Sequence, residues 1–161
     1  MEQLNVADLV QWPPIIAVGL KWEGTFAEAA AGGIHVVQAE LRRRLGTVER
    51  TSRPDRLLGL SYHAAPGAER FIHFAAVEVS AAEVVPEGMG VIEVPAFAYA
   101  QCRHLRGQQI DATYRNLYAW IAERGLRPHE GGLTHLELYP AEQDPFAPDP
   151  EFTILIPLED E

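Results

Sequence analysis

The amino-acid sequence predicts an α+β fold of duplicated β-α-β-β units related by a pseudo-twofold axis, with a central ligand cleft between them. Three observations predict it. The order strand, helix, strand, strand occurs twice, over pseudo-repeats of about 12–80 and 90–159 in one domain spanning 1–161. The two units share punctuation: Pro14 leads a strand into Gly24 as Pro95 leads one into Gly107, and Gly59-Leu60-Ser61-Tyr62 is echoed by Leu136-Glu137-Leu138-Tyr139. With 161 residues, 47% hydrophobic and 22% charged, the chain has the size and apolar content of a single domain with its own core.

In the first unit, Ile15 to Trp22 is apolar on both alternating sets, Ile16/Val18/Leu20/Trp22 and Ile15/Ala17/Gly19, as in a strand covered on both faces. Thr25 with Glu28 three residues on is a capping box. It opens an Ala-rich helix that runs to about Leu45 and stops at Gly46, with Gly32-Gly33 weakening or splitting its middle. A loop through Pro54 leads to a strand from Leu57 to His63, and Pro66-Gly67 turns the chain into a third strand, about Arg70 to Ser80.

In the second unit, Val91 to Arg103 reads as one long strand and Gln108 to about Arg124 as a helix, followed by strands Leu133 to Tyr139 and Phe152 to Leu158. Between these last strands lies an acidic, Pro-rich segment, Pro140 to Pro150, with Pro145, Pro148, Glu142, Asp144 and Asp149. Its fixed φ angles make it a stiff exposed connector, or a lid over the cleft.

Charge and composition exclude several functions. Lys+Arg number 13 and Asp+Glu 23, a net charge of −10, which opposes direct nucleic-acid binding because affinity for phosphate backbones comes mainly from Lys and Arg. The one basic concentration, Arg42, Arg43, Arg44, Arg50, Arg53 and Arg56, falls at a helix end and in a loop, where cations complement the helix dipole. The single cysteine, Cys102, allows no internal disulfide, and Met1-Glu2-Gln3-Leu4-Asn5 does not resemble a signal peptide, so a cytoplasmic protein is expected. No apolar run is long enough to cross a membrane. The six histidines show no metal-ligand spacing, so neither a metal nor another cofactor is expected.

The residues left to carry function are strand carboxylates and aromatics. Alternation along Leu133 to Tyr139 puts His135, Glu137 and Tyr139 on one face. A strand carboxylate is costly to bury without a partner, so Glu137 either faces water, is held by a local His or Tyr, or awaits a cationic ligand. Glu78, on the face of Ile72, Phe74 and Ala76, is a second carboxylate; if the protein is an enzyme, Glu137 and Glu78 are the catalytic candidates as an acid and base pair. Trp22, Tyr62, Phe97, Tyr99, Tyr114, Tyr118, Trp120 and Tyr139 supply aromatic surface, with Phe97 and Tyr99 on one side of their strand as a candidate wall.

A series of short blocks, in order, resembles the GyrI-like, AraC-type effector-binding domain family. They are Phe74-Ala75-Ala76-Val77-Glu78-Val79, Pro86-Glu87-Gly88-Met89, Val94-Pro95-Ala96-Phe97-Ala98-Tyr99-Ala100, Gly107 with Thr113-Tyr114-Arg115-Asn116-Leu117-Tyr118-Ala119-Trp120, Glu137-Leu138-Tyr139 and Ile154-Leu155-Ile156-Pro157-Leu158. Before Phe74 the match is one of layout alone. The resemblance implies a cleft in which the glutamate of the Glu-Leu-Tyr block, here Glu137, lies beneath aromatics and meets lipophilic cations. Two positions depart from the pattern: Ile34-His35-Val36-Val37 stands where a helix tryptophan is expected, and Cys102 where a bulky aromatic is usual. The resemblance implies a stand-alone effector-binding protein for amphipathic or cationic ligands, with ligand contacts from Glu137, Tyr139, His135, Tyr99, Phe97, Trp22, Tyr62 and Trp120. No DNA-binding domain is read on this chain, so any part in transcription regulation or drug response would run through a protein partner. The alternatives are a hydrolase that opens strained rings of DNA-alkylating natural products and an interaction protein like the inhibitors of DNA gyrase.

Overall fold

The computed structural model describes residues 3–159. These form strands β1 (Ala7–Trp12), β2 (Ile15–Gly24), β3 (Arg56–Tyr62), β4 (Phe71–Glu78), β5 (Gly90–Val94), β6 (Phe97–His104), β7 (Leu133–Pro140) and β8 (Phe152–Pro157), and helices α1 (Phe26–Ala30), α2 (Gly33–Arg43) and α3 (Ile110–Glu123). The strands make one sheet in the order β1-β6-β8-β7-β3-β4-β2-β5, with every pair antiparallel. That order reads the same from either end when β1–β4 are exchanged with β5–β8.

Two elements differ from the sequence reading. The lead before the first expected strand is itself a strand, β1, paired with β6 from Ala7↔Cys102 to Trp12↔Phe97. The run Val91 to Arg103 is two strands rather than one. Pro95 has no N–H to give a ladder, and the chain leaves its pairing with β2 there, joining β1 and β8 from Phe97 onward. The Ala-rich helix splits as its glycines suggest: the capping box of Thr25 and Glu28 opens α1, and Gly32 at φ +106°, a left-handed conformation natural to glycine, separates it from α2.

These short connections force the sheet to curl. β5 and β6 stand six strand spacings apart in the sheet, about 29 Å if it were flat at ~4.8 Å per strand. Yet Pro95-Ala96 alone joins them, and three Cα steps reach at most about 11 Å. Pro13-Pro14 joins β1 to β2 under the same constraint. The inside of the curl is a core containing Ile15, Leu58, Leu60, Val94, Tyr99, Leu133, Leu136 and Leu155. Outside it, α2 lies over β2 and β4, burying Leu41 with Val18, Ala75 and Val77, while α3 lies over β6, burying Leu117 and Ile121 with Ala100, Cys102 and Ile154. The middle strands β3 and β7 therefore run along the gap between the two helices. Among the described residues no helix is long and apolar enough to cross a membrane.

Candidate functional site

Strand register lays the floor of this gap. On the helix-bearing face, one lateral row crosses four strands as His135, Ser61, His73 and Trp22, and the next runs Glu137, Gly59, Ala75 and Leu20. Gly59 has a steric reason to lack a side chain: a Cβ there would stand 3.0 Å from His73 Cε1 and 3.4 Å from Tyr139 Cε2, so both rings lean over it. Tyr139 also belongs to the packing around both helices, and its ring stacks on Phe152 at 4.8 Å between centroids.

Glu137 is held by phenols. Tyr114 of α3 donates to its Oε2 at 2.5 Å and Tyr139 donates to its Oε1 at 3.0 Å. Among the described residues it makes no ion pair. Burial pushes its carboxyl above the ordinary carboxylate value, although the two phenol hydrogen bonds and the nearby His35 pull the other way. The same enclosure, together with the Glu137 charge, drives both tyrosines well above the usual phenol value, so they remain donors. Gln38 of α2 faces the Tyr139 hydroxyl.

The neighbouring row is polar and neutral. His73 is 1% exposed, its Nδ1 lies 2.9 Å from Ser61 Oγ, and its Nε2 has no partner among the described residues. His135 Nε2 lies 2.7 Å from Tyr118 Oη. Burial lowers His73 to about 3 and His135 to about 4, so both imidazoles are uncharged at neutral pH and neither gives Glu137 a counter-charge. Beside Tyr139 the gap holds a cavity of about 60 Å³, walled by α2 (His35, Gln38, Leu41), by Leu57 and Leu58 of β3, by Phe152, and by the 140–150 segment.

The structure brings together Glu137, Tyr139 and His135, with Trp22 at the far end of the polar row, packed on Phe71 and under Gly33. It does not bring Phe97, Tyr99 or Tyr62 to them. These side chains lie on the inner face of the curl, where Tyr99 is 0% exposed, because the alternation that puts Ala100 and Cys102 under α3 sends Phe97 and Tyr99 the other way. Glu78 shares that opposite face and is paired with Arg56 at 3.3 Å, so it cannot meet Glu137 as an acid and base pair. Trp120 belongs to α3 and packs against the core under that helix, with the Arg124 guanidinium 4.3 Å above its ring. Cys102 is a packed thiol, pushed up to about 11 by burial. No cluster of His, Cys, Asp or Glu among the described residues is arranged to hold a metal ion.

Sequence reasoning left out of its ligand-contact set Tyr114, Tyr118, His73, Ser61, His35 and Gln38. The i, i+4 spacing of Tyr114 and Tyr118 was a readable signal that both face one way. The row of Ser61 and His73 was not readable, because it depends on strand register.

The chain matches a known family. A family model described as the GyrI-like small molecule binding domain matches residues 7–159. The chain belongs to the GyrI-like family. No curated protein matches the sequence. Among solved structures, SAV2435 bound to tetraphenylphosphonium has a TM-score of 0.68 at 16% identity, covering 96% of this chain and 94% of that one. The EcmrR C-terminal domain scores 0.71 at 15% identity, covering 99% and 100%. A hydrolase from Listeria innocua scores 0.58 at 12%, covering 95% and 91%. At such identities the likeness is one of fold.

Proposed function

We propose that this GyrI-like domain is an effector-binding protein whose ligand is an amphipathic organic cation, with Glu137 as the ligand's counter-charge. The observation that carries the reading is an acid in the gap between two helices whose oxygens are held by Tyr114 and Tyr139 and which makes no ion pair among the described residues. A buried charge of this kind is unfavourable until an opposite charge joins it, and a delocalised cation loses little hydration on entering. Tyrosine ring faces add attraction for the same guest. The tetraphenylphosphonium bound by SAV2435, a protein of the same fold, supports a cation as the ligand class. The hydrolase reading in its two-carboxylate form loses support, since Glu78 is on the far side of the sheet. A link to transcription regulation would need a DNA-binding element, on this protein or on a partner, that reads the loaded state.

The test is a thermal-shift and titration panel of organic cations on wild type and Glu137→Gln. A ligand that binds the native state raises the melting temperature by mass action. Stabilisation by cations that drops at least tenfold in affinity in Glu137→Gln is the expected result. No cation binding to a folded wild type, or binding indifferent to Glu137→Gln, refutes the reading.

A further inference from the structure

The cavity beside Tyr139 is small. At about 60 Å³ it is well under half of the ~150 Å³ that accommodates benzene, and far below the ~300 Å³ at which drug-sized pockets begin. Its outer wall is the 140–150 segment, and that wall is tied down at several points. The Gln143 side chain clasps the backbone of Glu151 from both sides, donating from Nε2 to the Glu151 carbonyl at 3.1 Å and accepting from the Glu151 N–H at 3.0 Å. Arg42 of α2 donates to the Glu142 carbonyl at 3.1 Å, and the Gly107 N–H donates to Asp149 at 2.8 Å. Between the two halves of the clasp, Pro145, Pro148 and Pro150 remove much of the φ freedom through which the segment would swing. Gln143 itself lines the cavity, so one side chain both forms the wall and holds it in place.

We infer that this site selects compact cations, those whose apolar part is a small alkyl or single-ring group, and that Gln143 is the residue that sets the size limit. The inference rests on the cation reading above and narrows it. Glu137 does not itself line the cavity, so the charge of the ligand is placed against the Tyr139 ring, whose hydroxyl donates to Glu137, and its apolar part meets Leu41, Leu57 and Phe152. Buried apolar area alone argues for the opposite order, since a larger lipophilic cation removes more surface from water. A preference for small cations therefore reports the tethered wall.

The experiment is calorimetric titration with tetramethylammonium, benzyltrimethylammonium and tetraphenylphosphonium. Wild type, Glu137→Gln, Gln143→Ala and Ile110→Ala are each titrated, with melting curves confirming that every variant is folded. Ile110 lines the same cavity and is 40% exposed, so its truncation widens the space without cutting the core. The expected result is that wild type prefers the better of the two small cations over tetraphenylphosphonium by at least tenfold. In Gln143→Ala that ratio falls at least tenfold, and Ile110→Ala shifts it in the same direction. Glu137-dependent binding with tetraphenylphosphonium equal or preferred in wild type overturns the size inference alone, as does a ratio unchanged in both widening variants. Binding of all three probes unaffected by Glu137→Gln overturns the cation reading and the size inference together.

Discussion

The two faces of β3 and β7 are built from alternate residues of the same short segments, yet they have opposite chemistry. Leu58, Leu60 and Leu136, joined by Leu133 beyond the register shift at Ser61/Tyr62, face into the curl of the sheet and are almost completely buried among apolar neighbours, whereas Gly59, Ser61, His135 and Glu137 face the gap between α2 and α3. Deep in the inner face, the Tyr99 hydroxyl is buried with no hydrogen-bond partner among the described residues. The outer face is polar because neither helix lies over these strands, so its side chains satisfy one another across the gap. The lesson is that the site exists where the helical layer parts, while stability resides on the face behind it.

That contrast can be broken most forcefully from the inner face. Leu136→Ala, at a side chain with no exposed surface, is expected to cost about 2–5 kcal/mol in chemical denaturation, through lost transfer energy and the cavity left behind. Its effect on Glu137-dependent binding, measured where the variant is still folded, should be small. A large loss of affinity with the fold intact would mean the faces are coupled.

Gly59→Val strikes the outer face. Its branched side chain must displace the His73 and Tyr139 rings, with an expected cost of about 1–3 kcal/mol and a loss of cation binding. An unstrained, fully binding variant in calorimetry would refute the crowding described at Gly59.

A pH series on Glu137 sharpens the same contrast. Its folded-state pKa is raised, so between the ordinary value of 4.5 and the raised one the native state holds a proton that the unfolded chain has released. Stability from this group therefore falls as pH rises through that window, and the penalty is complete above it. The difference in melting temperature between Glu137→Gln and wild type is expected to be positive at pH 7 to 8 and to shrink towards zero below 4.5. Cation affinity should move the other way, weakening as acid protonates the carboxylate. A melting difference that does not vary with pH would show that Glu137 is hydrated rather than enclosed.

The smallest expected effect returns to the inner face. Tyr99→Phe removes the unpartnered buried hydroxyl and should raise stability by about 1 kcal/mol, read as a shift in denaturation midpoint at constant slope. A destabilised variant would mean the hydroxyl has a partner in solution.

Much of this was legible in the chain itself. The capping box, the glycine pair that divides the helix, the strands around Leu57, Arg70, Leu133 and Phe152, and the shared face of His135, Glu137 and Tyr139 all follow from local periodicity and capping chemistry. β1 was missed because its Asp8 and Gln11 dilute a short alternating pattern that only pairing with β6 makes decisive. The single aromatic face of their strand points Phe97 and Tyr99 to a cleft wall. Nothing in alternation says whether such a face looks outward or into a curl.

By itself, then, the sequence determined which side chains travel together: alternation groups Glu137 with Tyr139, and Phe97 with Tyr99, whatever the strands pair with. Only the tertiary structure decided which group became the site. The two-residue connections at Pro13-Pro14 and Pro95-Ala96 draw the sheet's ends round, one face is enclosed and the other is left to the helices; strand register then sets His73, and the docked helices set Tyr114 and Gln38, around a carboxylate far from them in sequence. Those placements depend on pairing between distant segments, which no local pattern of residues encodes.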